Sequence, residues 1–159
     1  MTITITRRSL LAGIFLTICR VVSLGAVSQQ GDAARVKVPL RLEPAATAYA
    51  DMQTDMPPWP DEDILSGVSE HRYAYFYSGD IDVAIYEAKP MKLRIEDYDI
   101  DEFVMVVSGA LILTADGGYP QKFDAGESVL VPKGFTGTWE MQGNFREMVV
   151  IMNRSGGQQ

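Results

Sequence analysis

From His71 onward the chain never runs far before Gly, Pro, Asn or Asp interrupts it, and the runs between are short and rich in β-branched or aromatic residues. "HRYAYFYS" alternates up to the turn at Gly79-Asp80, and "IDVAIYEA" leads to Lys89-Pro90. "MKLRI", "EFVMVVSG", "ALILTADGG", "QKFDAGESVLVPKG", "GTWEM" and "REMVVIMN" follow. Successive side chains of a strand point to opposite faces, so such runs fit strands with at least one buried face. No stretch of about a dozen residues after residue 28 keeps the 3.6-residue period that a helix needs. Roughly seven to nine short strands at this spacing predict an all-β sandwich or closed barrel, which leaves few unpaired edges.

The earlier part of the chain reads differently. Residues 29–69 form a polar, proline-punctuated extension, with "MPPWPDEDILSG" as its clearest loop. A short strand over 36–42 ("VKVPLRL") is expected only at a sheet edge, because Pro39 cannot donate to a ladder. This extension is expected to cover one edge of the barrel. Residues 153–159 read as a flexible C-terminal tail.

Residues 1–28 have the order of an export signal: Arg7 and Arg8, ten apolar or small residues from Leu10 to Cys19, then small residues at Ala26 and Ser28. Thr6-Arg7-Arg8-Ser9-Leu10-Leu11 resembles a twin-arginine signal, which predicts a periplasmic or extracellular destination. Ten apolar residues are too few to span a bilayer, so no stable membrane span is expected after processing. Processing would also remove Cys19, the only cysteine, which leaves neither a disulfide nor a thiolate ligand. The formal charge of −7 over 159 residues gives a single acidic domain and argues against a nucleic-acid partner, which would require a basic stripe.

Five carboxylates (Glu96, Asp97, Asp99, Asp101 and Glu102) lie within seven residues just ahead of the apolar run "FVMVV". They could hold a metal, act as catalytic groups, or form a solvated turn before a buried strand. In an extended chain Glu96, Tyr98 and Glu102 share one face, and Asp97, Asp99 and Asp101 share the other. With the barrel interior on the Glu102 side, Glu96 and Glu102 become the candidate catalytic pair, because two inward carboxylates can split their pKa values into an acid and a base. The alternative for Glu102 is a structural partnership with Arg94 or a tyrosine. An EF-hand loop starting at Asp97 is excluded, since Glu102 stands where Gly is needed and Ser108 where Glu is needed.

Two frames carry a resemblance. Glu102 is followed after six residues by Gly109, and Gly126 after five residues by Pro132-Lys133-Gly134. Together they resemble the two motifs of the cupin superfamily, which implies a cupin-type β-barrel or jelly roll over residues 70–152. "DEFVMVVSG" with "VPKGFTGTWE" looks most like the subfamily of (S)-ureidoglycine aminohydrolase-like domains. The family's histidine ligand positions fall on Glu96, Tyr98 and Gly137, so only the glutamate, Glu102, is kept. His71, the only histidine, lies outside both motifs and reads as structural.

The resemblance therefore implies a barrel that has lost its metal-binding histidines. The preferred reading is a small-molecule pocket that works without a cofactor and binds a small polar ligand through Tyr98, Trp139 and Tyr75. Gly137, two residues from Trp139, would leave shaped space for that ligand, and Tyr73, Tyr75 and Tyr77 would line the same cavity. The first alternative is a divalent-metal-dependent hydrolase or isomerase, with Glu102 on Mn, Fe or Zn; an all-carboxylate set would favour Mn, Mg or Ca over Zn. The second is a structural or sensory homodimer that packs through Phe103, Met105 and Val107.

Overall fold

The computed structural model describes residues 38–152. Residues 1–37 and 153–159, where the export signal, the start of the extension and the C-terminal tail are expected, lie outside the described residues. Eight antiparallel strands fill the described part: β1 Ile64–Gly67, β2 His71–Ser78, β3 Ile81–Ala88, β4 Met91–Ile95, β5 Glu102–Ala115, β6 Gln121–Asp124, β7 Ser128–Val131 and β8 Gly137–Met152. Apart from these there are two single turns of 3-10 helix, Tyr49–Asp51 and Asp61–Asp63. No helix among the described residues is long and apolar enough to cross a membrane.

Two long strands, β5 and β8, pair along nearly their whole length and divide the sheet into two layers. Residues 102–105 of β5 also pair with β7, and the C-terminal half of β8 pairs with β3, which pairs with β2. Residues 110–113 of β5 pair with β6, and the N-terminal end of β8 pairs with β4, which pairs with β1. The ladder slips register around Ser108, where Gly109 has φ 73° and Gly143, on the facing strand, φ 69°. A side chain at Gly109 would run into the Gln142 carbonyl oxygen and come within 2.9 Å of the Phe145 backbone. The glycine thus lets both strands bend together, and the bend folds one sheet into a two-layered jelly roll.

The core lies between the layers. Val104, Val106 and Leu111 of β5 meet Leu93 of β4 and Phe145 of β8, all essentially inaccessible. Alternation fails where both faces are covered: residues 82–86 of β3 are buried without a break.

The N-terminal extension is more integrated than its composition suggests. β1 joins the sheet ahead of residue 70, and Gln53 forms a bridge with Tyr73 of β2. The Tyr73 hydroxyl donates to Asp55 at 2.8 Å, and Met52 and Met56 are buried. Arg146 of β8 pairs with Glu87 and donates to the Thr47 carbonyl at 2.9 Å, fixing this segment from outside. The strand expected over 36–42 is absent from its described part, residues 38–42, where Val38 and Leu40 are exposed and Pro39 removes a donor.

Candidate functional site

A cavity of about 20 Å³ lies between the two layers, room for roughly one water-sized group. Its walls are Leu93 and Ile95 of β4, Trp139 and Met141 of β8, and Val149 farther along β8. Tyr86 of β3, Tyr98, Glu102 of β5 and Glu147 of β8 supply its polar groups, and Trp59 of the extension completes the lining.

Local backbone geometry sets which acids reach this cavity. Met91, Leu93 and Ile95 point inward, so Glu96 follows on the outer side. Asp97 then takes a left-handed conformation, φ 51°, which resets the alternation and turns Tyr98 into the interior. Tyr98 is held there from both directions: its N–H donates to the Phe135 carbonyl at 2.9 Å, and its own carbonyl accepts from Gly134 at 2.6 Å. The Pro132-Lys133-Gly134 turn thus braces the residue that faces the cavity.

The Tyr98 hydroxyl donates to Glu102 Oε2 in a short hydrogen bond. Burial raises the pKa of Glu102 to about 7, and the Tyr98 hydrogen bond offsets part of that rise. Tyr98 is itself raised well above the ordinary tyrosine value, by burial first and the Glu102 carboxylate second. On β8, Glu147 lies opposite Val106 of β5 and Tyr86 of β3. Burial, with the nearby Glu102 second, raises the Glu147 carboxyl well above its ordinary range. Glu147 Oε2 is buried and has no hydrogen-bond partner, whereas the buried Tyr86 hydroxyl lies within hydrogen-bonding reach of Trp59. Two carboxyls therefore share a site that contains no Lys, Arg or His. Both carboxyls hold their protons to higher pH than a solvated carboxyl does.

The structure brings together Glu102, Tyr98 and Trp139; the Tyr98 and Trp139 rings lie 5.9 Å apart. It does not bring Glu96, whose side chain is 64% exposed and lies 3.7 Å from Arg94. The inward position expected for Glu96 is corrected by the left-handed turn at Asp97. Tyr75 packs partly buried against the core but is not among the lining residues. A bulge between Tyr75 and Tyr77 breaks the expected row: Tyr73 is buried with its hydroxyl on Asp55, and Tyr77 is exposed. The space expected beside Gly137 is also filled. A side chain there would collide with the Thr114 carbonyl oxygen, so this glycine serves the close approach of β5 and β8.

Arg94 does not reach Glu102. It forms a paired contact with Asp116, both bonds at 2.6 Å, so the structural partner of Glu102 is the tyrosine. His71 is buried, with its ring 5.6 Å from that of Tyr86 and its pKa lowered by burial.

Sequence reading missed Glu147, Tyr86 and Trp59. Glu147 had a usable signal: it falls in phase with Phe145, Val149 and Ile151, the inward positions of β8. An acid in phase with a buried stripe outweighs any number of acids in a turn. Tyr86 alternates in the same way with Ala84 and Ala88. Trp59, between Pro58 and Pro60, carried only the weak signal of a large ring on a stiff loop.

The donor set does not suit a resident transition metal. Glu102 and Glu147 are the only carboxylates lining the cavity, and no group of three His, Cys, Asp or Glu stands together among the described residues. Zinc sites and their relatives use three or more protein ligands, mostly imidazole or thiolate.

The fold is a bent two-layer jelly roll with a small cavity between its layers, bordered by the N-terminal extension. Residues 83–147 match the model of the EutQ-like cupin domain, so this part of the barrel is similar to cupin domains. A crystal structure of a protein of unknown function from Pseudomonas syringae pv. tomato superposes with a TM-score of 0.60. It is 16% identical and covers 69% of this chain, which spans 46% of that protein's length. The EutQ protein of Clostridium difficile is 18% identical over 55% of this chain and 71% of its own, with a TM-score of 0.47. A putative ethanolamine utilization protein from Salmonella typhimurium is 16% identical over 52% of this chain and 69% of its own, also at 0.47. No curated protein matches the chain.

Proposed function

We propose that this is an exported cupin-domain protein that binds a small polar ligand in the cavity between its layers, without a metal. The observation that carries the reading is an unsatisfied buried atom, Glu147 Oε2, on a residue lining a largely apolar cavity. A buried polar atom without a partner costs roughly 1–3 kcal/mol, and a ligand that pairs with it recovers that cost. Tyr98 and Glu102 would orient the ligand, Trp139 would form one wall, and Trp59 would move aside for entry. The test is thermal unfolding of the full chain against a panel of small amines, alcohols and sugars. A compound that raises Tm in the wild type but not in Glu102→Gln supports the reading. Stoichiometric Mn, Fe or Zn in protein purified without chelators, and lost in Glu102→Gln, overturns it.

One observation favours a second reading, a hydrolase or isomerase like the (S)-ureidoglycine aminohydrolase-like domains. A carboxyl with pKa near 7 beside one held higher is a general base beside a general acid. Ureidoglycine turnover reduced at least a hundredfold by Glu102→Gln would establish it, and unchanged turnover would remove Glu102 from the mechanism. A homodimer is part of the proposal too: Phe103 and Leu130, register partners on β5 and β7, are exposed on an outer face. A monomeric mass by light scattering at micromolar concentration would count against it. Export rests on Arg7, Arg8 and the apolar run behind them, and would be refuted by finding only unprocessed chain in the cytosol.

A further inference from the structure

The cavity is more selective in its chemistry than "small and polar" conveys. Four aromatic residues line it (Trp59, Tyr86, Tyr98 and Trp139) together with two carboxyls and no cationic side chain. Aromatic faces carry negative potential and attract cations, most strongly where water is excluded. A neutral ligand could satisfy single acceptor atoms, but it would leave any ionised carboxylate uncompensated, which is costly in a buried site. A cation answers the rings and the carboxylates together.

Size narrows the class further. A space of about 20 Å³ accommodates a group no larger than a water or an ammonium head, and a trimethylammonium head does not fit without rearrangement. Three N–H donors suit the acceptors present: the partnerless Glu147 Oε2, the Tyr86 hydroxyl oxygen, and the Glu102 carboxylate held by Tyr98. Trp59, half-buried, borders the cavity, and the rest of a small organic molecule would lie on its side.

We infer that the cavity takes the primary ammonium group of a small organic amine, held between Glu102 and Glu147 against the rings of Trp59, Tyr86, Tyr98 and Trp139. The inference rests on the ligand-binding reading above. In the empty site the carboxyls balance their mutual repulsion with protons; the arriving ammonium takes over that role, and the displaced protons leave to solvent. The groups facing the pair from the surrounding elements are Tyr98 before β5 and Tyr86 of β3, neither of them a base at neutral pH.

The test is isothermal titration calorimetry on the full chain with n-propylammonium, 1-propanol, glycerol, tetramethylammonium and potassium chloride. Propylammonium is expected to bind at least tenfold more tightly at pH 8 than at pH 6. Its apparent enthalpy should differ between Tris and phosphate buffers, because protons are released. Glu147→Gln and Glu102→Gln, checked for folding by circular dichroism, should each weaken it at least tenfold. Tetramethylammonium or potassium binding as tightly as propylammonium overturns the inference, as does an amine affinity unchanged in both variants. If 1-propanol or glycerol binds in a Glu102-dependent way and propylammonium does not, the inference falls and the polar-ligand reading stands. If none of the five binds, both fall.

Discussion

The acid-rich segment 96–101 and the pair formed by Glu102 and Glu147 have the same chemistry and opposite fates. In the segment, Glu96 meets Arg94 at 3.7 Å, and the Asp97 N–H donates to the Thr136 hydroxyl at 3.0 Å. Asp101 accepts the Lys133 N–H at 2.9 Å. Asp99 is half-buried with one partnerless oxygen, and its pKa is raised, by burial first. These acids shape the turn that leads into β5. The pair sits on facing strands, fully enclosed, with one tyrosine hydroxyl for company. Density of charge along the sequence signals a turn, whereas phase with a buried stripe signals chemistry, because only the second removes a carboxyl from water.

The comparison breaks most readily through pH. Folding raises the Glu102 pKa from 4.5 to about 7, so the folded protein binds a proton there more tightly than the unfolded chain. The associated stability is fully present below the unfolded value and is lost as pH rises through the folded one. At about 1.4 kcal/mol per unit, the loss between pH 4.5 and neutrality is ~3 kcal/mol, and Glu147, raised further, extends it upward. Urea unfolding as a function of pH should show this decline, with Glu102→Gln flattening it. A flat wild-type profile would mean the pair is no different from the acids of the turn.

Next in size is Tyr98→Phe, which removes the hydroxyl donating to Glu102 and leaves the packing of the ring unchanged. Loss of a buried hydrogen bond to a carboxyl is expected to cost about 1–3 kcal/mol. The cost should grow with pH, because the hydrogen bond favours the ionised form. Unfolding at pH 6 and pH 8 measures both effects, and equal losses at the two values would show that the hydroxyl does not stabilise the carboxylate.

Much of the fold was legible because it rests on local rules. Alternation in "EFVMVV" puts Glu102, Val104 and Val106 on one face, and that face is the buried one. The site was half legible, for reasons that can be located. Tyr98 and Glu102 were expected on one face, although the partner of Glu102 was left open between Arg94 and a tyrosine. Glu147 reaches them only through the β5–β8 ladder, a pairing across some forty residues that no local pattern specifies. Glu96 was misplaced by a single left-handed residue, Asp97, which sequence gives no reason to expect over its neighbours. Trp59 enters through the extension, whose anchoring depends on Asp55–Tyr73 and Arg146–Thr47 contacts between distant segments.

The smallest effect tests the outer side of the comparison. Glu96→Ala removes a carboxylate that crowding in the sequence made prominent, yet its side chain is 64% exposed. Its neighbour Arg94 is already committed to Asp116 through two bonds at 2.6 Å, so the 3.7 Å contact with Glu96 adds little that water does not replace. Exposed ion pairs of this kind contribute roughly 0–1 kcal/mol, and with Arg94 kept occupied the change should stay within about 0.5 kcal/mol. Amine affinity, measured by the same calorimetry, should not change, because Glu96 lies on the far side of the Asp97 turn from the cavity. A tenfold loss of affinity in Glu96→Ala would place this acid in the site after all, and would mean that the left-handed turn at Asp97 is not kept when ligand binds.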